Sequence, residues 1–311
     1  MRRSRSTPHR NPSPGKPSPG HPSPRKPSPG KPGPEKPGPD ARRPGPPARR
    51  AEPAPSQEPA ARNRPERWLY GRHAVTAALA NPARSWRRLA IAAGQEAEAA
   101  SLIAAARARR LGDAEPLAVL DRPALAALLP ANAVHQGWAL DVEPLPQLEL
   151  DVLLDRLPAK GRAVVVLLDQ VTDPHNVGAI LRTAAAFGAA AVVVATHGAP
   201  PSTATLAKAA SGALEMVPLV RVVNLARTLD RLKEDGFWCC GLDAGGTAEF
   251  AALDLGPRVA LVLGAEGSGM RRLVREHCDC LARLPTRPAL PSLNVSNAAA
   301  IALYELARRE S

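Results

Sequence analysis

The sequence predicts an α/β protein whose C-terminal half is a parallel, doubly wound sheet, preceded by a small α/β domain and a basic, proline-rich arm. Three observations carry that expectation. Ala163 to Leu168 is a continuous apolar run, as required of a strand buried on both faces of a parallel sheet. Short apolar runs then alternate with helix-patterned segments almost to the C-terminus. Three stretches, Leu168 to Arg182, Leu261 to Met270 and Leu281 to Arg309, share one make-up of apolar run, polar loop and helix start. In such folds the strand C-termini hold the ligand.

The arm comes first in the chain. From Pro12 to Asp40 a five-residue unit repeats (PSPGK, PSPGH, PSPRK, PSPGK, PGPEK, PGPD), a period that rules out collagen. The first 65 residues hold 20 prolines and 15 Lys and Arg against 4 Asp and Glu, a net of +11; residues 66–311 hold 26 against 25. An extended arm without a core is expected. Its charge favours a polyanion such as nucleic acid through counterion release, with a solubilising tail or a Pro-rich ligand for a partner domain as the alternatives.

Order is expected from Arg67, with a short strand or turn leading into a helix that reaches Leu79. A strand at Arg88–Ala92, a helix from about Gln95 to Arg109, a strand at Leu117–Leu120, a helix at Asp121–Leu129 and an apolar run at Trp138–Val142 complete a small α/β domain. His135, in the loop before that run, reads as a turn-supporting residue. The acidic, proline-containing Pro144–Leu157 stretch reads as a linker. The expected division is an arm at 1–65, a small domain at 66–145, a linker at 146–160 and the larger domain at 161–311.

In the larger domain a helix at Val177–Phe187 follows the first strand. Further strands are expected at Ala190–Ala195, Val217–Val220, Phe237–Gly241 and Val259–Leu263, with helices near Ala204–Ser211 and Asn224–Lys233. The last strand ends at Leu281–Pro285, and Ser292 to Ala298 opens the last helix. Ser292, Asn294 and Ser296 are short hydrogen-bonding side chains where backbone N–H groups lack partners. One suffices as a cap; three at a strand end suit the floor of a pocket.

Composition excludes several classes. No run of about 18 apolar residues suggests a membrane span. The basic N-terminus lacks an apolar segment, so the cytoplasm is the expected compartment. The four cysteines, Cys239, Cys240, Cys278 and Cys280, form a vicinal pair and a C-x-C, and they read as buried free thiols, not as a metal site. The Gly264–Gly269 loop follows a strand as a phosphate loop would, but its spacing matches neither nucleotide fingerprint and Glu266 would repel a phosphate. A ligand with a cationic centre, or a hydroxyl needing an acceptor, fits better. Arg182, six residues after Asn176, can face the same cleft from one to two turns in, and against the alternative of a surface arginine it stands out on a helix otherwise rich in Ala, Leu and Ile.

Three segments carry a resemblance: Asp173-Pro-His-Asn-Val-Gly-Ala-Ile-Leu-Arg182, Leu263-Gly-Ala-Glu-Gly-Ser-Gly-Met270 and Ser292-Leu-Asn-Val-Ser296. Together and in this order they resemble the three motifs of the SpoU (TrmH) RNA ribose 2'-O-methyltransferases. Tyr70-Gly71, His135-Gln-Gly137 and Arg271–Cys278 are most similar to the branch acting on guanosine of large-subunit rRNA. The resemblance covers about Trp68 to Arg309.

It implies an L30e-like RNA-binding domain, a SPOUT-type parallel sheet with a deep trefoil knot, a homodimer, and S-adenosyl-L-methionine as cofactor. No metal or membrane is implied. Gly264, Leu284 and Leu293 would contact the cofactor, largely through backbone groups. Asn176, Arg182, Glu266 and Asn294 would form the catalytic group, within one subunit or with part of it contributed by the partner. The family view of Arg182 as a base conflicts with its chemistry, because a guanidinium hardly deprotonates. A clamp on the adjacent RNA phosphate suits it better, with Glu266 or that phosphate accepting the proton.

The expected reaction is methyl transfer to a guanosine 2'-hydroxyl of 23S rRNA. The same reaction on tRNA, and a non-catalytic RNA-binding or ribosome-assembly factor of this fold, are the alternatives. Two departures from the family bear on substrate and cofactor affinity. Thr286-Arg-Pro-Ala-Leu-Pro291 replaces a flexible Gly and Ser stretch, and Asn297 stands where an apolar residue is usual.

Overall fold

The computed structural model describes residues 67–113, 115–200, 204–287, 289 and 292–309. The proline-rich arm and its expected extended form lie outside the described residues, as do Pro288 and Pro291 of the departing loop.

The small sheet is built from β1 (Trp68–Tyr70), β2 (Trp86–Ala92), β3 (Leu117–Leu120) and β4 (Trp138–Val142), with helices α1 (Arg72–Ala80), α2 (Glu96–Ala106) and α3 (Arg122–Ala127) between them. Its order is β1-β4-β2-β3, antiparallel except for the parallel β2–β3 pair. Period-two alternation sends Leu89, Ile91, Trp138 and Leu140 to one face, while Ala90 and Ala139 join Trp68, Tyr70 and Leu125 on the other. The buried indole of Trp86 donates to the Ala106 carbonyl at 3.0 Å, which meets the demand of a buried N–H. His135 Nδ1 accepts from the Gly137 N–H at 3.1 Å and supports the turn into β4.

The stretch read as a linker contains a helix, α4 (Leu150–Arg156), which buries Leu153 and Leu154. Beyond it run β5 (Ala163–Asp169), α5 (Pro174–Ala186), β6 (Ala191–Ala195), α6 (Ala204–Ala210), β7 (Leu219–Val222), α7 (Leu225–Glu234), β8 (Trp238–Leu242), β9 (Ala248–Glu249), β10 (Arg258–Gly264), α8 (Arg272–Glu276), β11 (Cys280–Arg283) and α9 (Val295–Arg308). The seven strands pair in parallel throughout, in the order β7-β6-β5-β10-β8-β11-β9.

The sheet is covered on both faces, as the apolar runs demand. Val164, Val166 and Leu168 of β5 pack with Ile180 and Leu181 of α5, Leu206 of α6 and Leu303 of α9. Ala163, Val165 and Leu167 pack with Leu153 of α4, Leu225 and Leu229 of α7 and Val274 of α8. The first of these clusters continues into Leu69, Val75 and Leu79, so the small sheet shares an apolar core with the large one. At that junction Arg84 and Glu215 form a buried ion pair, their side chains 5% and 3% exposed.

Strand β7 begins two residues later than expected. Pro218 has no N–H to give a ladder, and the Val217 N–H is used by the Ala213 carbonyl at 2.9 Å. Cys239 and Cys240 are buried, whereas Cys278 and Cys280 are half-buried, which corrects the expectation of four buried thiols. No helix of the described residues is long and apolar enough to cross a membrane.

Candidate active site

Strands β5 and β10 are neighbours at the centre of the sheet, and each ends in one of the sequence-marked loops. After β5, Asp173 accepts from the His175 N–H at 2.9 Å and Pro174 occupies the first turn, so α5 starts with Asn176 one turn in. After β10 the chain makes a tight hairpin: Ala265 N–H donates to the Gly269 carbonyl at 3.2 Å and Gly269 N–H to the Ala265 carbonyl at 2.9 Å. Glu266 is the first residue of its tip. Gly264 is required by close approach, since a Cβ there would lie 2.2 Å from the Gly269 carbonyl carbon. The third loop leads from β11 to Asn294, which caps α9.

These loops meet. Asn294 Nδ2 donates to Asn176 Oδ1 at 3.1 Å and also to Glu266 Oε1. Asn176 Nδ2 donates to the same carboxylate oxygen at 3.3 Å, and the Val295 backbone N–H at 3.2 Å. Glu266 Oε1 thus takes three donors, while Oε2 has no partner among the described residues. Asn294 also uses its other end. Its Oδ1 accepts from the Ser296 N–H at 2.9 Å, the Ser296 hydroxyl at 2.6 Å and the Asn297 N–H at 3.4 Å. Capping and site assembly, weighed as alternatives for Ser292, Asn294 and Ser296, are carried by one side chain.

Beside the trio lies a cavity of about 520 Å³ drawn from the ends of β8, β10 and β11. Gly264, Leu284 and Leu293 all line it, with Leu242, Leu263 and Val295 as apolar walls, Glu266 as an acid and Asp243 paired with Arg275 at 2.7 Å. Such a lining accepts a flat base together with a cationic group. Thr286 of the departing loop is part of the wall, and Arg287 is exposed.

Arg182, expected to face the cleft of Asn176, is not bonded to the trio. It lies on α5 six residues after Asn176, a rotation that sets it about 120° away around the helix axis. It is exposed, and it makes no hydrogen bond or ion pair with the described residues. Sequence reasoning gave no role to Asp169, whose buried carboxylate at the end of β5 holds Arg271 just after the hairpin. The available signal was an acid closing an apolar strand.

Comparisons with known proteins give the family. The SpoU rRNA Methylase family matches residues 163–304, and an RNA 2'-O ribose methyltransferase substrate-binding family matches residues 68–148. A 23S rRNA (guanosine-2'-O-)-methyltransferase RlmB of Pseudomonas syringae pv. tomato is 41% identical over 249 residues, covering 78% of this chain and 96% of the relative. The RlmB of Vibrio vulnificus is 48% identical over 178 residues, covering 57% and 72%. Among solved structures, the SpoU methyltransferase AviRb of Streptomyces viridochromogenes in complex with AdoMet superposes with a TM-score of 0.62 at 26% identity, covering 79% of this chain and 91% of that one.

Proposed function

Because the chain belongs to the SpoU rRNA methylase family, we propose that it transfers the methyl group of S-adenosyl-L-methionine to the ribose 2'-hydroxyl of a guanosine in 23S rRNA. The observation that carries this reading is the convergence of Asn176, Glu266 and Asn294 beside a cavity lined by Gly264, Leu284 and Leu293.

The cavity suits the cofactor, its apolar walls facing a base and the Glu266 carboxylate a cation. When bound, S-adenosyl-L-methionine supplies an electrophilic methyl group on a sulfonium, so the protein's task is to hold the hydroxyl in line and remove its proton. Gly264, Leu284 and Leu293 hold the cofactor. Glu266, oriented through Oε1 by the two asparagines and the Val295 N–H, offers its open Oε2 to the hydroxyl proton. Arg182 clamps the RNA phosphate next to the reacting ribose.

The exposure of Arg182, turned away from Asn176, favours its service to the site of a partner subunit. On the neighbouring helix α9, Ile301 and Tyr304 are exposed, and the Tyr304 ring meets Phe187, just after α5, edge-on at 5.9 Å. An α5–α9 face closing a homodimer accommodates both features. The reading carries with it an L30e-like RNA-binding domain before the catalytic one, a cytoplasmic site of action and a deep trefoil knot. The basic arm adds a sequence-independent hold on RNA.

Labelled methyl transfer to unmodified 23S rRNA, followed by mapping of 2'-O-methyl marks, tests the proposal. Incorporation at a guanosine, lost in Glu266→Gln, is expected. Preferential labelling of tRNA would replace the substrate. RNA binding with no incorporation would make the protein an assembly factor.

A further inference from the structure

We propose that Asp169 and Arg271 are a positioning pair that fixes the Glu266 hairpin, and through it the rate of methyl transfer. The inference rests on the reading of Glu266 given above. Asp169 is fully buried at the last position of β5. Its Oδ2 accepts the Arg271 backbone N–H at 2.7 Å, and its Oδ1 accepts the Nε–H of the same guanidinium at 2.8 Å, with Nη2 in ion-pair contact at 2.8 Å. A carboxylate is costly to bury, and these charge-assisted bonds offset that cost.

The hairpin is tied to Asp169 at both ends. In the β5–β10 register Asp169 lies opposite Gly264, where the hairpin begins, and Arg271 follows Met270, where it ends. One residue therefore sets the entry by its backbone and the exit by its side chain, with Glu266 between them. The same residue starts the other catalytic loop. Gln170 takes the left-handed region at φ 61°, Val171 is buried, and Asp173 then caps the helix that presents Asn176. Loosening Asp169–Arg271 frees Glu266 relative to Asn176 while leaving the cavity walls at Leu242, Leu284 and Leu293 in place.

Arg271 is the residue to change first, because its side chain is 49% exposed and truncating it opens no cavity in the core, although it takes the counter-charge from the buried Asp169. In Arg271→Ala the backbone amides of residues 265–270 should exchange about tenfold faster than in the parent. Single-turnover methyl transfer should fall about 100-fold, the scale expected for a catalytic group displaced by about an ångström. Affinity for S-adenosylhomocysteine should stay within about threefold. Arg271→Lys keeps the charge without the fork and should recover part of the rate. Asp169→Asn should reproduce the rate loss, and combining it with Arg271→Ala should add little to it. Parent-like amide exchange in Arg271→Ala overturns the anchor. Faster exchange with undiminished turnover in both Arg271→Ala and Glu266→Gln upholds the anchor and removes Glu266 from the reaction, so that failure belongs to the functional reading.

Discussion

The side-chain amide of Asn294 donates to the Glu266 carboxylate while its own carbonyl oxygen caps α9. Helix start and catalytic loop thus share one residue, and its two roles separate by substitution. Asn294→Ser keeps a capping oxygen and removes the amide that reaches Glu266, so stability should stay within a few tenths of a kcal/mol while turnover falls about tenfold or more. Asn294→Ala loses both and should cost about 1 kcal/mol in addition. Urea unfolding alongside methyl-transfer rates checks the pair; equal turnover in Asn294→Ser and the parent would remove the amide from the mechanism.

Arg182 points to a second prediction, because it is exposed and unbonded among the described residues while the trio it should serve is already assembled. Arg182→Lys should lose most of its turnover with cofactor affinity retained, since a lysine cannot form the bidentate fork that grips a phosphate. If the arginine acts on the partner's site, mixing inactive Arg182→Ala and Glu266→Gln subunits should restore about a quarter of the parental activity, one sound site in each mixed dimer. A guanidinium acting within its own subunit would restore none.

How far the sequence could be read depended on how locally each feature is encoded. β5 and β10 were legible because burial on both faces leaves an unbroken apolar run, and the loops of Asn176, Glu266 and Asn294 because polar and glycine residues interrupt such runs abruptly. Helix α8 buries Val274 alone, and β9 is two residues long, so neither leaves a periodic trace. Helix α4 was hidden in an acidic stretch where only Leu153 and Leu154 reach the core. The strand order, with β10 between β5 and β8, is set by long-range pairing that no local pattern records. The shared make-up of the three strand-end segments nevertheless predicts that they come together, and the family resemblance adds the grouping of Asn294 with Glu266. The partnerships of Asp169 with Arg271 and of Arg84 with Glu215 were not foreseen at all.

The Arg84–Glu215 pair leads to a prediction about stability. Glu215 accepts from Arg84 through both oxygens and from Asn81 Nδ2 at 2.7 Å, and Arg84 Nη1 donates to the Glu143 carbonyl at 2.7 Å. Glu215→Ala leaves a buried guanidinium without its counter-charge and should cost about 3 kcal/mol. The denaturant midpoint should fall with little change in slope. A loss below about 0.5 kcal/mol would mean that water replaces the carboxylate.

The cysteines offer a prediction in pH. Cys240 and Cys280 face each other across β8 and β11. A hydrogen bond from the Cys240 side chain, assisted by one from Trp238 and opposed by burial, holds Cys280 down at about 7. The same contact, together with burial, pushes Cys240 well up. Burial first, then neighbouring negative charge, pushes Cys239 and Cys278 up to about 12. Alkylation follows the thiolate, so a short iodoacetamide pulse should label Cys280 before the other three. Its rate should climb as pH rises through about 7 and level off above about 8, because the lowered value means the thiolate is already formed there. Trp238→Phe removes one donor to the thiolate and should move that climb to higher pH. Peptide mass mapping reads the outcome, and first labelling at Cys278 would show that access, not ionisation, governs these thiols.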